Sequence, residues 1–121
     1  MHPAVKTFIE AFEKESRERY LVQRTLGRYQ TAFLESVLGP ALHWNFEGVR
    51  VEYPFRDVKG GDRFADIFIE RVPMKLVIEL DDYASHVKIS QGVFADHLFR
   101  QNSLVLRGVM VLRFANWQIE H

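Results

Sequence analysis

Two runs of strand-forming residues separated by a proline turn constrain this chain more than anything else in it. Arg63-Phe64-Ala65-Asp66-Ile67-Phe68-Ile69-Glu70 and Lys75-Leu76-Val77-Ile78-Glu79-Leu80-Asp81 flank Arg71-Val72-Pro73-Met74. Both runs are rich in β-branched and aromatic residues, which reads as strand, short turn, strand. With the turn centred between Val72 and Pro73, an antiparallel register pairs Ala65 with Leu80, Ile67 with Ile78 and Ile69 with Leu76 on one face. The same register sets Glu70 opposite Lys75, Phe68 opposite Val77 and Asp66 opposite Glu79, with Asp81 further along that face. A slip of one residue would turn the aliphatic set away from the core, so the register is strongly specified.

Carboxylates directly opposite each other have Cβ atoms only about 5 Å apart. Such a pair is destabilising unless something positive sits between the two charges. A divalent cation is the simplest partner, because hard Mg²⁺ or Mn²⁺ prefers oxygen ligands. The alternative is an acidic pair on a solvated sheet face, since strands with one polar outer face are common.

The 121 residues are expected to form one domain over 1–121, with 1–19 as a helical extension and 20–114 as the core. Their 47% hydrophobic and 26% charged content is that of an ordinary globular chain. No membrane span or signal-peptide pattern is visible, and a cytoplasmic protein is the expectation. The absence of cysteine excludes disulfides and thiolate metal ligands. A formal net charge of zero means that any polyanion must be held by a local patch.

Pro3 followed by Val5, Phe8, Ile9 and Phe12 predicts an amphipathic helix from residue 3 to about 16, either kinking at the charged run Glu13–Arg19 or continuing through it. A second helix is expected from Tyr20 to Leu38, stopped by Gly39-Pro40. Arg17, Arg24 and Arg28 then fall on one face, either a solvated face or a stripe facing phosphates. A strand is expected at Val49–Tyr53, ended by Pro54, and a Gly60-Gly61 loop leads into the central hairpin. After Asp81 comes a polar loop, then a helix of about 15 residues ending at Gly108. Val109–Phe114 is a final apolar strand, and a helical crossover makes it parallel to one already in the sheet. The expected class is therefore α/β, a mixed sheet covered by helices.

Asp66, then Glu79-Leu80-Asp81, in the order α-β-β-β-α-β, resembles the PD-(D/E)XK restriction-endonuclease-like superfamily, and more narrowly its very-short-patch-repair-endonuclease-like branch of small bacterial domains. Phe64-Ala65-Asp66-Ile67, Leu76 to Asp81, Tyr83 with His86, Arg100-Gln101-Asn102 and Val111-Leu112-Arg113-Phe114 carry the resemblance over about residues 30–115. It implies a metal-dependent endonuclease that hydrolyses phosphodiesters in DNA, with RNA as the other substrate class, in repair or defence. Asp66, Glu79 and the Leu80 carbonyl would hold Mg²⁺ or Mn²⁺, Glu35 would help complete the site, and Gln101 would face it. Asp81 stands where the superfamily usually has lysine, and Asp82 where the branch usually has glycine. His86 and Lys88 are then the nearest candidates for a cationic or acid–base role. Lys88 and Arg100 join Arg17, Arg24 and Arg28 as candidate nucleic-acid contacts. A zinc site built on His86, Asp96 and His97 matches no zinc spacing. The competing expectation is a binding or assembly module that keeps the fold without efficient chemistry. A homodimer or a larger partner protein is expected in either case.

Overall fold

The computed structural model describes residues 1–20, 25–81 and 90–120. The chain divides into two compact units, Met1–Glu47 with Ile119–His121, and Gly48–Gln118.

In the first unit, helix α1 spans Pro3–Tyr20 without interruption. Proline suits the first turn because its missing N–H needs no partner there. The charged run stays helical, with Glu15 and Arg19 one turn apart and paired at 3.5 Å. The second expected helix is shorter than the sequence pattern implies. Residues 25–27 are not helical, and α2 begins only at Arg28, running to Phe33. Gly27 caps it in extended backbone, its N–H donating to Gln30 Oε1 at 3.0 Å. Glycine is a poor interior helix residue, and here the side chain of Gln30 reaches back to favour a start instead. Arg17 and Arg28 thus lie on separate helices, and Arg24 lies outside the described residues.

Gly39-Pro40 does not stop the second helix either. Leu34–Leu38 form a π-helical turn in which the Gly39 N–H bonds to Leu34 O, and Gly39–Ala41 (α3) continue as α-helix. The widened turn delivers Pro40 to the opening of a new helical turn, where a proline is tolerated. The chain turns away at His43 and Trp44, whose φ values of 53° and 64° are left-handed. Trp44 then stacks on His2 at 3.8 Å between ring centroids.

The second unit is a four-stranded mixed sheet with helix. Strands β1 (Val49–Arg56), β2 (Asp62–Arg71) and β3 (Met74–Asp81) form an antiparallel meander. Helix α4 (Gln91–Leu106) precedes β4 (Met110–Ala115), which lies parallel to β3 as the crossover predicts. Gly108, at φ 80°, stands between α4 and β4 where the sequence places the helix end. A short helix, α5, covers Asn116–Glu120. The sheet order β1-β2-β3-β4 puts β1 at an edge. That is why β1 runs through Pro54 to Arg56 instead of ending at Tyr53, since an edge strand can spare a donor. Among the described residues, no helix is long and apolar enough to cross a membrane.

The central hairpin shows the expected pairs Ile67–Ile78, Phe68–Val77, Ile69–Leu76 and Glu70–Lys75, and adds Arg71–Met74. The Glu70 and Lys75 side chains meet at 3.7 Å. Away from the turn the ladder ends at Ile67–Ile78, short of the expected Asp66–Glu79 and Ala65–Leu80 pairs. On the other side of β2, the β1 ladder likewise skips Glu52 and Asp66, and Glu52 has φ 50°. Side-chain alternation shifts across this irregularity. Ala65 joins Phe68, Val77 and Leu104 in one buried cluster, against which Tyr53, Phe55, Val109 and Val111 pack. Ile67, Ile69 and Ile78 are buried on the opposite face. Ala65 therefore leaves the face that the hairpin register assigns to it, the kind of local re-aiming that bulged strands produce.

Gly48 opens β1 at φ 80°, and a Cβ there would lie 2.4 Å from the carbonyl oxygen of Glu70. Gly48→Ala is expected to destabilise the protein by at least about 2 kcal/mol, from left-handed backbone and the backbone clash together. A fall in the urea midpoint measures it.

Candidate metal centre

Helix α4 carries two of the relevant side chains, and several contacts fix it on the sheet. Ser90 caps its start, the hydroxyl accepting from Val93 N at 3.2 Å. The turn after β1 is closed by Asp57, whose Oδ1 accepts the N–H groups of Lys59 and Gly61, both at 2.9 Å. The Gly61 bond and its companions hold the Asp57 carboxyl below the usual range, despite burial. Arg63 bridges this turn to the helix, donating to Asp57 Oδ2 at 3.0 Å and to both Asp96 oxygens at 2.8 and 2.7 Å. Asp96 is thereby committed to a structural ion pair. One turn on, Arg100 and Gln101 reach toward β3 and β4, and a turn further Leu104 enters the sheet cluster.

The two central acids meet where the ladders lapse. Asp66 Oδ2 accepts the N–H of Leu80 at 2.8 Å, so the side chain of Asp66 takes a bond that a strand carbonyl would otherwise receive. The Glu79 side chain hydrogen bonds with Asp66 and is only 5% exposed. Burial pushes the Glu79 carboxyl up to about 8, opposed by the nearby Arg100 charge and reinforced by the charge and hydrogen bond of Asp66; Arg113 also opposes it. Desolvation therefore outweighs both arginines.

Arg100 brings positive charge to the pair. Its Nη2 donates to the Phe64 carbonyl and to Glu79 Oε2 at 3.3 Å, and lies 3.1 Å from Oε1. The approach to Oε1 is close but undirected, and that buried oxygen accepts no hydrogen bond. The buried Arg100 Nε also has no hydrogen-bond partner. Unmet buried polar atoms on both sides of one ion pair are uncommon and call for an explanation.

Arg113 forms the outer part of the site. It lies beside Glu79 in the parallel β3–β4 register. Its Nη1 donates to Asp81 at 3.1 and 3.2 Å, and its Nε donates to Gln101 Oε1 at 2.6 Å. Asp81 and Gln101, both expected at the site, are thus held by one residue that the sequence reading does not single out. The available signal was a lone charge in the apolar run Val109–Phe114, which becomes informative only once β4 is known to lie next to β3. Arg113→Ala is expected to cost about 1 kcal/mol, because the network is partly exposed. Urea unfolding of the variant checks this.

The remaining expected residues fall into four groups. Leu80 is next to the pair, and its N–H is the group engaged with Asp66. Glu35 belongs to the first unit, on the π-helical turn, where its carboxylate accepts the His2 N–H at 2.9 and 3.0 Å. Arg17 and Arg28 are also in the first unit, Arg28 with its guanidinium 5.2 Å from the Tyr29 ring centroid. Arg24, His86 and Lys88 lie outside the described residues. Arg100, expected to contact nucleic acid, is engaged with Glu79.

Among the described residues, no three His, Asp or Glu side chains converge as a metal centre. The residues that could hold an ion are Asp66 and Glu79. Two carboxylates suit Mg²⁺ or Mn²⁺, which keep several waters and take further oxygens from substrate. Glu79 Oε1, an unsatisfied buried acceptor beside a second carboxylate, fits such an ion. No family model, curated protein or solved structure matches the chain.

Proposed function

We propose that the chain is a divalent-metal-dependent phosphodiesterase of the restriction-endonuclease-like type, acting on nucleic acid with DNA as its first substrate class. The observation that carries this reading is the Asp66–Glu79 contact, with a buried Glu79 oxygen that no protein donor satisfies. An acid so placed has a raised pKa and an incomplete ligand shell, features typical of working carboxylates.

The chemistry can be divided among this chain's own residues. Asp66 is oriented by the Leu80 N–H, and Glu79 is held by Arg100. A bound Mg²⁺ or Mn²⁺ would polarise the phosphate and lower the pKa of a water. Arg113 stands beside Glu79 and supplies positive charge where Asp81 replaces the usual lysine. Gln101 fixes the plane of the Arg113 guanidinium through its short bond to Nε. The sheet irregularity at Asp66 matters because it turns a ladder position into a side-chain ligand position.

A test uses duplex, mismatched, branched and single-stranded DNA, with RNA counterparts, incubated with Mg²⁺ or Mn²⁺. Cleavage that EDTA abolishes supports the proposal. An intact panel with both metals rejects it. The second reading, a binding or assembly module without chemistry, is favoured by one observation: Glu79 and Asp81 already have arginine partners. On that reading the panel is bound but uncut, or neither bound nor cut.

A further inference from the structure

We infer that the Arg100 guanidinium occupies the cation position beside Asp66 and Glu79 in the metal-free protein, and that a divalent ion loads only as Arg100 leaves Glu79. This rests on the metal reading of the site and adds an internal competitor to it.

Three observations support the inference. The first is position. Arg100 Nη2 is 3.1 Å from Glu79 Oε1, the oxygen that would otherwise be open to an ion. The same nitrogen caps the Phe64 carbonyl, so a positive group already lies among the oxygens that surround the acid pair. The second is the quality of the fit. Glu79 Oε1 accepts no hydrogen bond and Arg100 Nε donates none, although both are buried. A permanent buried Arg–carboxylate pair usually forms a two-pronged fork with its atoms satisfied. Even the more exposed Arg63–Asp96 pair, one helical turn before Arg100, forms a two-pronged fork, with both bonds under 3 Å. Arg100 makes one long bond and one undirected approach instead. The third is the tether. Arg100 projects from α4, a helix anchored independently by Arg63–Asp96 and by Leu104 in the cluster. The helix can therefore stay in place while the guanidinium moves, with the ring of Phe55 5.9 Å away as an apolar surface along its path.

The chemistry follows from charge alone. A dication and a guanidinium cannot share two carboxylates without repulsion, so binding of the ion must weaken the Arg100–Glu79 contact. A displaced Arg100 remains at the rim of the site. There a bidentate donor suits the phosphate oxygen of a bound strand. The arginine would thus serve as counter-ion in the empty site and as a phosphate contact in the loaded one.

The test is Mn²⁺ binding by calorimetry to the full chain, metal-free at the start, as wild type, Arg100→Gln and Arg100→Lys. Circular dichroism verifies that each variant is folded. The inference expects Arg100→Gln to bind Mn²⁺ at least about tenfold more tightly than wild type, with Arg100→Lys between the two or near wild type. A wild type that binds Mn²⁺ while Arg100→Gln binds equally or more weakly overturns the inference and leaves the metal site standing. If wild type and both folded variants bind no Mn²⁺, the metal reading falls and the inference with it. An independent readout uses wild type alone. In crystals soaked with Mn²⁺, Arg100 Nη2 should lie beyond hydrogen-bond reach of Glu79, and retention of the present 3.1 Å contact beside a bound ion overturns the inference.

Discussion

Replacing Asp66 by Asn, or Glu79 by Gln, is expected to lower metal-dependent cleavage by at least about 10³-fold, since a catalytic metal supplies several kcal/mol of transition-state stabilisation. The two substitutions remove one negative charge each and keep the side-chain shape. Asp66→Asn retains a carbonyl oxygen that can accept the Leu80 N–H, so the irregular stretch of β2 keeps its anchor. Glu79→Gln removes a carboxyl that burial already disfavours in its charged form. Neither change should unfold the protein, and loss of activity with an unchanged circular dichroism spectrum locates the effect at the ion. Cleavage rates within tenfold of wild type for both variants would remove these acids from the chemistry.

The second large effect is on stability. In metal-free protein with EDTA, stability is expected to fall as pH rises from about 5 to about 8, by an amount of the order of 3–5 kcal/mol. Glu79 titrates near 8 in the folded chain, against 4.5 for an ordinary glutamate. Below both values each state carries the proton and nothing changes. Between them the unfolded chain releases its proton while the folded chain keeps it, so each unit of pH favours unfolding. Above the folded value both states are ionised and the dependence stops. The slope would approach about 1.4 kcal/mol per pH unit in the middle of the window. Asp66 on one side, and Arg100 and Arg113 on the other, all face this carboxyl and set where the window ends. Glu79→Gln should flatten the urea-derived profile; a variant profile as steep as that of wild type would assign the dependence elsewhere. Mn²⁺ binding should release a proton over the same range, because the ion takes the ionised ligand.

The parts of the fold legible in the sequence are those set by local pattern. The proline turn and the alternating aliphatics gave the hairpin register over Ile67–Glu70, and the helix before the last apolar run implied a parallel β4. Helix α1 was visible from Pro3 and its apolar spacing. What stayed hidden depends on more than one element at once. The start of α2 at Arg28 turns on Gln30 reaching back to Gly27, and its passage through Gly39-Pro40 on a π turn that periodicity does not reveal. The displacement of Ala65 comes from paired irregularities at Glu52 and Asp66, on different strands. At the candidate site the nearness of the acids follows from their flanking one turn, although the ladder lapses before their pair. Their arginine partners come from α4 and β4, at sequence separations of 21 and 32 residues, and no short-range pattern connects them.

That separation sets an order of assembly in folding. The three-strand meander is joined by short connections, so it can pair before the helix and the last strand dock on it. Asp66 and Glu79 then stand together in the sheet before either compensating arginine is in place. Arg100 arrives with the helix, and Arg113 only with the last strand. Long-range parallel pairing is the slow step of such topologies, and here the step that completes the sheet is also the one that neutralises its acidic face.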